Sequence, residues 1–183
     1  MADQALRKPP LGRVHGGSAG ARVTPAAPAT RLSLRAGTEA LGALSAALGL
    51  PLPAHPKGSS SSNGRHALWL GPDEWLVIDE GQADLMAAVA GSGVLHSATD
   101  VSHRNTAILV SGPEAAAAIA SACPLDLSNA IFPVGAAART VLAKIEVVLF
   151  RTGEEEYRVE CWRSFAPYAF GLLAEGAEDA AFG

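Results

Sequence analysis

Apolar and polar residues alternate most regularly over residues 140–149. Val141, Ala143, Ile145, Val147 and Leu149 share one face there and Lys144 and Glu146 the other, the period of two expected of a strand with one buried side. Thr152-Gly153 and three glutamates then force a polar turn, and Tyr157, Val159 and Cys161 continue an apolar face on a return strand. The period changes after that. Ser164 is placed to cap a helix that has Pro167 in its first turn, where a missing N–H costs little. Phe165, Tyr168, Ala169 and Leu172 fall at i, i+3, i+4 and i+7, one stripe able to cover the sheet, and Gly176 is a natural stop. Seven of the ten aromatic residues lie in or beside residues 140–173, which makes this stretch the organising unit.

A similar order of elements is expected upstream. Residues 31–35 (RLSLR) alternate as a short strand, and Thr38 caps a helix with Leu41, Leu44 and Leu48 on one face, ended by Gly49-Leu50-Pro51. Residues 51–65, PLPAHPKGSSSSNGR, read as a mobile surface loop. ALWL (67–70) and EWLVI (74–78) form a hairpin about Gly71-Pro72-Asp73, anchored by Trp69 and Trp75. Residues 82–90 read as a short helix with Leu85, Met86 and Val89 inward, closed by Gly91. Residues 100–112 open polar and become a strand, and Gly112-Pro113-Glu114 starts a helix through the alanines to Ala122. Strand, helix, hairpin, helix thus occurs over residues 31–90 and again over 101–175. Each helix has one apolar stripe to hide, so the two units can join their sheets and carry helices outside. The expected fold class is α+β: two ferredoxin-like strand-helix-hairpin-helix units in one domain, residues 31–183, with halves 31–99 and 100–176. Residues 1–30, rich in Gly, Pro and Ala, bury too little apolar area to offset their ordering entropy and are expected as a flexible arm.

Composition adds limits. A chain of 183 residues can bury roughly 70% of its unfolded surface without staples. The net charge of −4 hides an asymmetry, because residues 1–35 hold six of the fourteen Lys and Arg but one of the eighteen acids. Such a basic arm can meet nucleic acid or an acidic partner. No aromatic residue precedes Trp69, however, so base stacking has nothing to work with and nucleic-acid binding is not expected. Cys123 and Cys161 form no CxxC and are expected to be core thiols in a reducing compartment. MADQALRKPP lacks the apolar core of a secretory leader, and every long apolar run is interrupted well short of a membrane span. A soluble, cytoplasmic protein without membrane contact is expected.

Candidate chemistry is sparse. His96, Asp100 and His103 carry metal-ligand types, but their spacing across a loop-to-strand junction matches no metal geometry. Ser102 and His103 are adjacent in extended chain and point to opposite faces, which rules out a nucleophile-base pair. Gly16-Gly17-Ser18-Ala19-Gly20 fits G-x-S-x-G, yet that elbow needs a strand before it and a helix after it, and here Pro25 and Pro28 follow. Cys123 has no basic neighbour to activate it. Neither G-x-G-x-x-G nor a Walker pattern occurs at a strand-to-helix junction.

Three stretches carry a resemblance: CPLDL at 123–127, FPVG at 132–135 and WRSFAPY at 162–168. They resemble the gamma subunits of the heterotetrameric sarcosine oxidases, over roughly residues 66–176. Those subunits are related to the aminomethyltransferase superfamily, whose members have folate-binding, ferredoxin-like domains. DVSH at 100–103 is similar to a stretch of aminomethyltransferases. The strand from Val141-Leu142 falls where that family carries paired aspartates that orient folate, and this chain has Ala143 and Lys144 there. A methyl and a cation cannot replace a carboxylate that accepts a proton or stabilises an iminium.

The resemblance therefore implies a non-catalytic, structural subunit. Its complex would oxidatively demethylate sarcosine to glycine, hydrogen peroxide and a one-carbon unit taken up by tetrahydrofolate. The alpha, beta and delta subunits would be the partners. FAD, covalent FMN, NAD, tetrahydrofolate and zinc would belong to them, with no cofactor in this chain. Asp100, His103, Arg104, Trp162, Arg163, Phe165 and Tyr168 are then core or docking residues, aromatics and Arg being the usual interface anchors. Two alternatives are a free-standing folate-binding one-carbon protein and the equivalent subunit of an N-methylglutamate dehydrogenase-type complex.

Overall fold

The computed structural model describes residues 9–12 and 14–182. Its elements run β1 (Gly16–Gly17), β2 (Arg22–Pro25), β3 (Thr30–Ala36), α1 (Leu41–Leu48), β4 (Ser59–Ser62), β5 (Arg65–Gly71), β6 (Glu74–Asp79) and α2 (Leu85–Ala90). They continue with β7 (His96–Asp100), β8 (Asn105–Ser111), α3 (Ala115–Ala120), β9 (Ala137–Leu142), β10 (Ile145–Gly153), β11 (Glu156–Trp162) and α4 (Ala166–Asp179). The strands pair antiparallel in two sheets, ordered β1-β2-β8-β11-β10-β9 and β4-β5-β6-β3-β7.

Period-two patterning puts apolar residues on both faces of the central strands. Val147 and Leu149 of β10 and Tyr157, Val159 and Cys161 of β11 meet Ala118, Ile119, Ala169 and Leu173 of α3 and α4. Leu32, Leu34, Trp75 and Val77 of the other sheet meet Leu44, Leu48, Leu85 and Val89 of α1 and α2. The opposite faces meet each other, Leu68, Leu76 and Ile78 against Ala137, Val148 and Phe150. The layers are therefore helix, sheet, sheet, helix, as the single apolar stripe of each helix implied.

Several local expectations change. Residues 16–25, expected in a flexible arm, are strands: β2 pairs with β8, and Val23 is fully buried. The order β5-β6-β3-β7 is matched by β10-β11-β8-β2, so the N-terminal segment fills the fourth place of the second sheet. Neither β2 nor β7 has the apolar alternation that marks a strand in sequence. The serine run expected as a mobile loop is edge strand β4, turned into β5 by Asn63 and Gly64, whose φ values of 50° and 76° suit a two-residue hairpin.

The strand expected over residues 140–149 is a hairpin. Leu142 pairs with Ile145 across Ala143-Lys144, and Ala143 takes a φ of 50°. The turn inverts the alternation on its N-terminal side, burying Leu142 and leaving Val141 exposed. Thr38 and Ser164 sit inside short 3-10 turns rather than capping helices, and Met86 is exposed.

The buried stripe of α4 is Ala166, Ala169, Leu173, Gly176 and Ala177, one position later than the expected one. Gly176 does not stop the helix. It admits α3, since a Cβ there would clash with Ser121 Oγ and lie 2.6 Å from the Ala118 carbonyl oxygen. Close approach selects small residues for this face and turns Phe165 and Tyr168 outward.

Candidate functional site

The turn between β7 and β8 is held from three sides. Asp100 Oδ1 accepts the Ser102 N–H at 2.8 Å, and the Arg31 N–H donates to Ser102 Oγ at 2.8 Å. The Val101 N–H donates to the Arg31 carbonyl at 2.9 Å, while the Arg104 and Asn105 N–H groups return to the Val101 carbonyl at 3.0 and 2.9 Å. Val101 is thereby buried, and His103 and Arg104 project to the surface.

Strand β11 leaves the sheet beside this turn, and the Arg163 N–H donates to the Arg104 carbonyl at 2.7 Å. That bond sets the exit of β11. The Trp162 indole stacks on Phe165, with centroids 6.0 Å apart and planes 24° apart, and the Arg104 guanidinium lies over the indole at 5.3 Å. Trp162, Phe165 and Tyr168 are 42%, 42% and 43% exposed. Arg104, Trp162 and Phe165 thus form one contact cluster, flanked by His103 and Arg163, with Tyr168 one turn along α4. None of the seven residues expected as core or docking residues is buried. The core alternative falls away for all of them.

Asp100 and Arg163 also line a cavity of about 820 Å³, together with Leu11, Arg31, Ser102 and Asn105. Its size lies within the range of ligand sites. Ala143 and Lys144 are not among its walls. They stand exposed at the β9–β10 tip, so the position that the resemblance pairs with folate orientation is a turn, and no step of one-carbon chemistry is assigned to it.

Between the sheets lies an ion-pair network that sequence reasoning missed. Glu160 Oε2 accepts Arg31 Nε at 2.6 Å, and Glu160 Oε1 accepts Arg31 Nη2 at 3.2 Å and Arg158 Nε at 2.8 Å. Arg158 Nη1 continues to Glu80 Oε1 at 2.7 Å. Arg31, Arg158 and Glu160 are nearly inaccessible and tie β3 of one sheet to β11 of the other. The alternation of Tyr157, Val159 and Cys161 implies one buried side for the return strand, whereas the second sheet buries the other as well. The available signal was charge at alternate positions of two otherwise apolar strands.

The remaining candidates find structural roles. Burial, then the Glu160 charge, pushes the Cys161 thiol up to about 12, so it stays protonated at neutral pH. Cys123 is a buried free thiol. Residues 16–20 are β1 and the turn into β2, closed by the Ser18 N–H on the Ala21 carbonyl at 2.9 Å, with no strand-to-helix elbow. His96 opens β7 with Nδ1 2.8 Å from the Val94 carbonyl oxygen. Among the described residues no three His, Cys, Asp or Glu side chains converge as metal ligands, and no helix is long and apolar enough to cross a membrane. Arg7, Lys8 and Arg13 of the basic arm, and the first eight residues that lack a leader-like core, lie outside the described residues.

Comparison with known proteins gives a consistent result. Residues 35–179 match the sarcosine oxidase, gamma subunit family. The chain is 34% identical over 155 residues to a sarcosine oxidase subunit gamma of Corynebacterium sp. (strain U-96), spanning 82% of this chain and 76% of that one. It is 39% identical over 138 residues to a sarcosine oxidase subunit gamma of Arthrobacter sp, spanning 72% and 67%. In the heterotetrameric sarcosine oxidase from Corynebacterium sp. U-96 in complex with pyrrole 2-carboxylate, one chain superposes with a TM-score of 0.87 at 31% identity, covering 97% of each chain. The glycine cleavage system aminomethyltransferase T from Bartonella henselae shares the fold, with a TM-score of 0.62 at 18% identity over 88% of this chain and 46% of that one.

Proposed function

The chain belongs to the sarcosine oxidase gamma subunit family, and from that premise we propose that it is the structural gamma subunit of a cytoplasmic heterotetrameric sarcosine oxidase. The observation that carries this reading is the match to one chain of such a tetramer over 97% of both chains, so the likeness spans the whole subunit rather than a shared domain. The complex oxidatively demethylates sarcosine to glycine, hydrogen peroxide and a one-carbon unit passed to tetrahydrofolate. FAD, FMN, NAD, tetrahydrofolate and zinc reside in the alpha, beta and delta partners. The strand order of each sheet supports a ferredoxin-like unit, and the likeness to aminomethyltransferase T supports a scaffold shared with that enzyme. Ala143 and Lys144, exposed at a hairpin tip, support the non-catalytic role.

The test is co-expression of the tagged chain with the other three subunits, followed by affinity capture, a flavin absorbance scan and a peroxide assay with sarcosine. Large flavin-bearing subunits and peroxide are expected in the eluate. Capture of the chain alone and colourless, with tetrahydrofolate binding to it in calorimetry, would favour the free-standing folate protein. Turnover of N-methylglutamate in place of sarcosine would move the chain to the sister complex.

A further inference from the structure

We infer that the surface formed by Arg104, Trp162, Phe165 and Tyr168 is where another subunit of the oxidase docks, through a face that is apolar at its centre and edged with carboxylates. The inference rests on the subunit reading and adds the place and chemistry of the contact.

The first support is the packing of α4. Its inward stripe is small because α3 comes so close at Gly176, and this turns Phe165 and Tyr168 out of the core. Three aromatics, each more than 40% exposed, then fall within seven residues. Trp, Tyr and Arg are the residue types that dominate interface energetics.

Pre-organisation is the second support. Trp162 is stacked on Phe165, Arg104 lies over the indole, and the 2.7 Å bond from the Arg163 N–H to the Arg104 carbonyl ties the two backbone segments together. Side chains held before contact lose less entropy on binding.

Charge identifies the occupant. His103, Arg104 and Arg163 are exposed on this surface with the exposed Asp100 carboxylate beside them, a local excess of positive charge within a chain of net charge −4. A basic, aromatic surface on an acidic body selects a partner with carboxylates at its rim. A two-fold self-association would set this net positive patch against its own copy, a like-charge contact that opposes it.

The experiment uses the tagged complex with three variants of this chain: Trp162→Ala/Phe165→Ala, Tyr168→Glu and Arg104→Glu/Arg163→Glu. The wild type is expected to retain the flavin-bearing subunits, less firmly as salt rises. Each variant is expected to weaken association by about tenfold or more. Near-UV circular dichroism of each isolated variant checks its fold, and Tyr168→Glu, which leaves the Trp162–Phe165 stack intact, separates docking from folding. Folded variants that retain wild-type amounts of the other subunits, in a wild-type complex that does assemble, would overturn the docking inference and leave the subunit reading standing. A wild-type chain that captures no other subunit would overturn the premise itself. Dimerisation of the isolated wild type, abolished by Tyr168→Glu in light scattering, would make a second copy the occupant and refute the partner named here.

Discussion

Glu160 offers the most direct test of how the two sheets are joined. Its carboxylate accepts three charge-assisted hydrogen bonds from Arg31 and Arg158, and all three side chains are almost wholly removed from water. Replacement by leucine keeps the volume and removes the negative charge. Removing one partner of a buried ion pair costs about 3–5 kcal/mol, because the desolvated charge left behind dominates. Arg31 keeps the Ala29 carbonyl at 3.1 Å and Arg158 keeps Glu80, which places Glu160→Leu near the lower end, about 3 kcal/mol. At this chain length that corresponds to a fall in Tm of roughly 6–12 °C.

The triple variant Arg31→Met/Arg158→Met/Glu160→Leu removes all three buried charges of this network, and Glu80, half exposed, is free to turn to water. It should return to within about 1 kcal/mol of the wild type or exceed it. The assay is urea unfolding followed by the fluorescence of buried Trp75, whose indole N–H donates to the Pro53 carbonyl at 2.7 Å. A cost below about 1 kcal/mol for the single variant, or a triple variant no more stable than the single one, would refute an unpaired buried charge as the cause.

Other perturbations separate local causes. Gly176→Ala should lower stability by about 1–3 kcal/mol through its clash with Ser121 and the Ala118 carbonyl, while Gly171→Ala, with open space around it, should raise stability by up to about 1 kcal/mol. Equal effects of the two in thermal unfolding would contradict the α3–α4 contact. Glu74 joins the sheets by its ion pair with Arg139. The hydrogen bond from Arg139, then the charges of Arg139 and Arg35, hold its carboxyl below its ordinary value of 4.5, against burial. Its stabilising effect is therefore present above pH 4.5 and lost as pH falls through the lower folded value, so Glu74→Gln should reduce stability at neutral pH and flatten the acid limb. An acid limb of unchanged steepness would dismiss the link. Cys161 should resist iodoacetamide at pH 8 until the chain unfolds, because its thiol sits at about 12, and rapid native-state labelling in a mass-spectrometric time course would contradict its burial.

Much of the architecture was legible where packing is local. RLSLR, the hairpin about Gly71-Pro72-Asp73 and the alternation of Tyr157, Val159 and Cys161 announce strands because each has an apolar face of period two. The β4 hairpin has one sequence signal, the two-residue turn Asn63-Gly64, but the four serines before it carry no apolar residue to mark a strand. Strand β2 was not legible, because RVTP is stabilised by an edge of β8 eighty residues away rather than by its own pattern. Trp162, Arg163, Phe165 and Tyr168 are conspicuous in sequence because they crowd one heptapeptide. Their exposure was not available from spacing, because Phe165 and Tyr168 fit an inward stripe as well as an outward one.

The sequence by itself determined which elements are amphipathic and which family the WRSFAPY and CPLDL stretches resemble. Periodicity and short motifs are properties of neighbouring residues, and no long-range contact is needed to read them. Tertiary structure alone decided that the inner faces of both sheets meet, which turns Glu160, Arg31 and Arg158 from apparent surface charges into a buried network. It also decided the phase of α4, where the close contact with α3 leaves no room for a Cβ at Gly176 and the aromatics Phe165 and Tyr168 face outward. Both outcomes depend on what covers a face, and the covering elements come from distant parts of the chain.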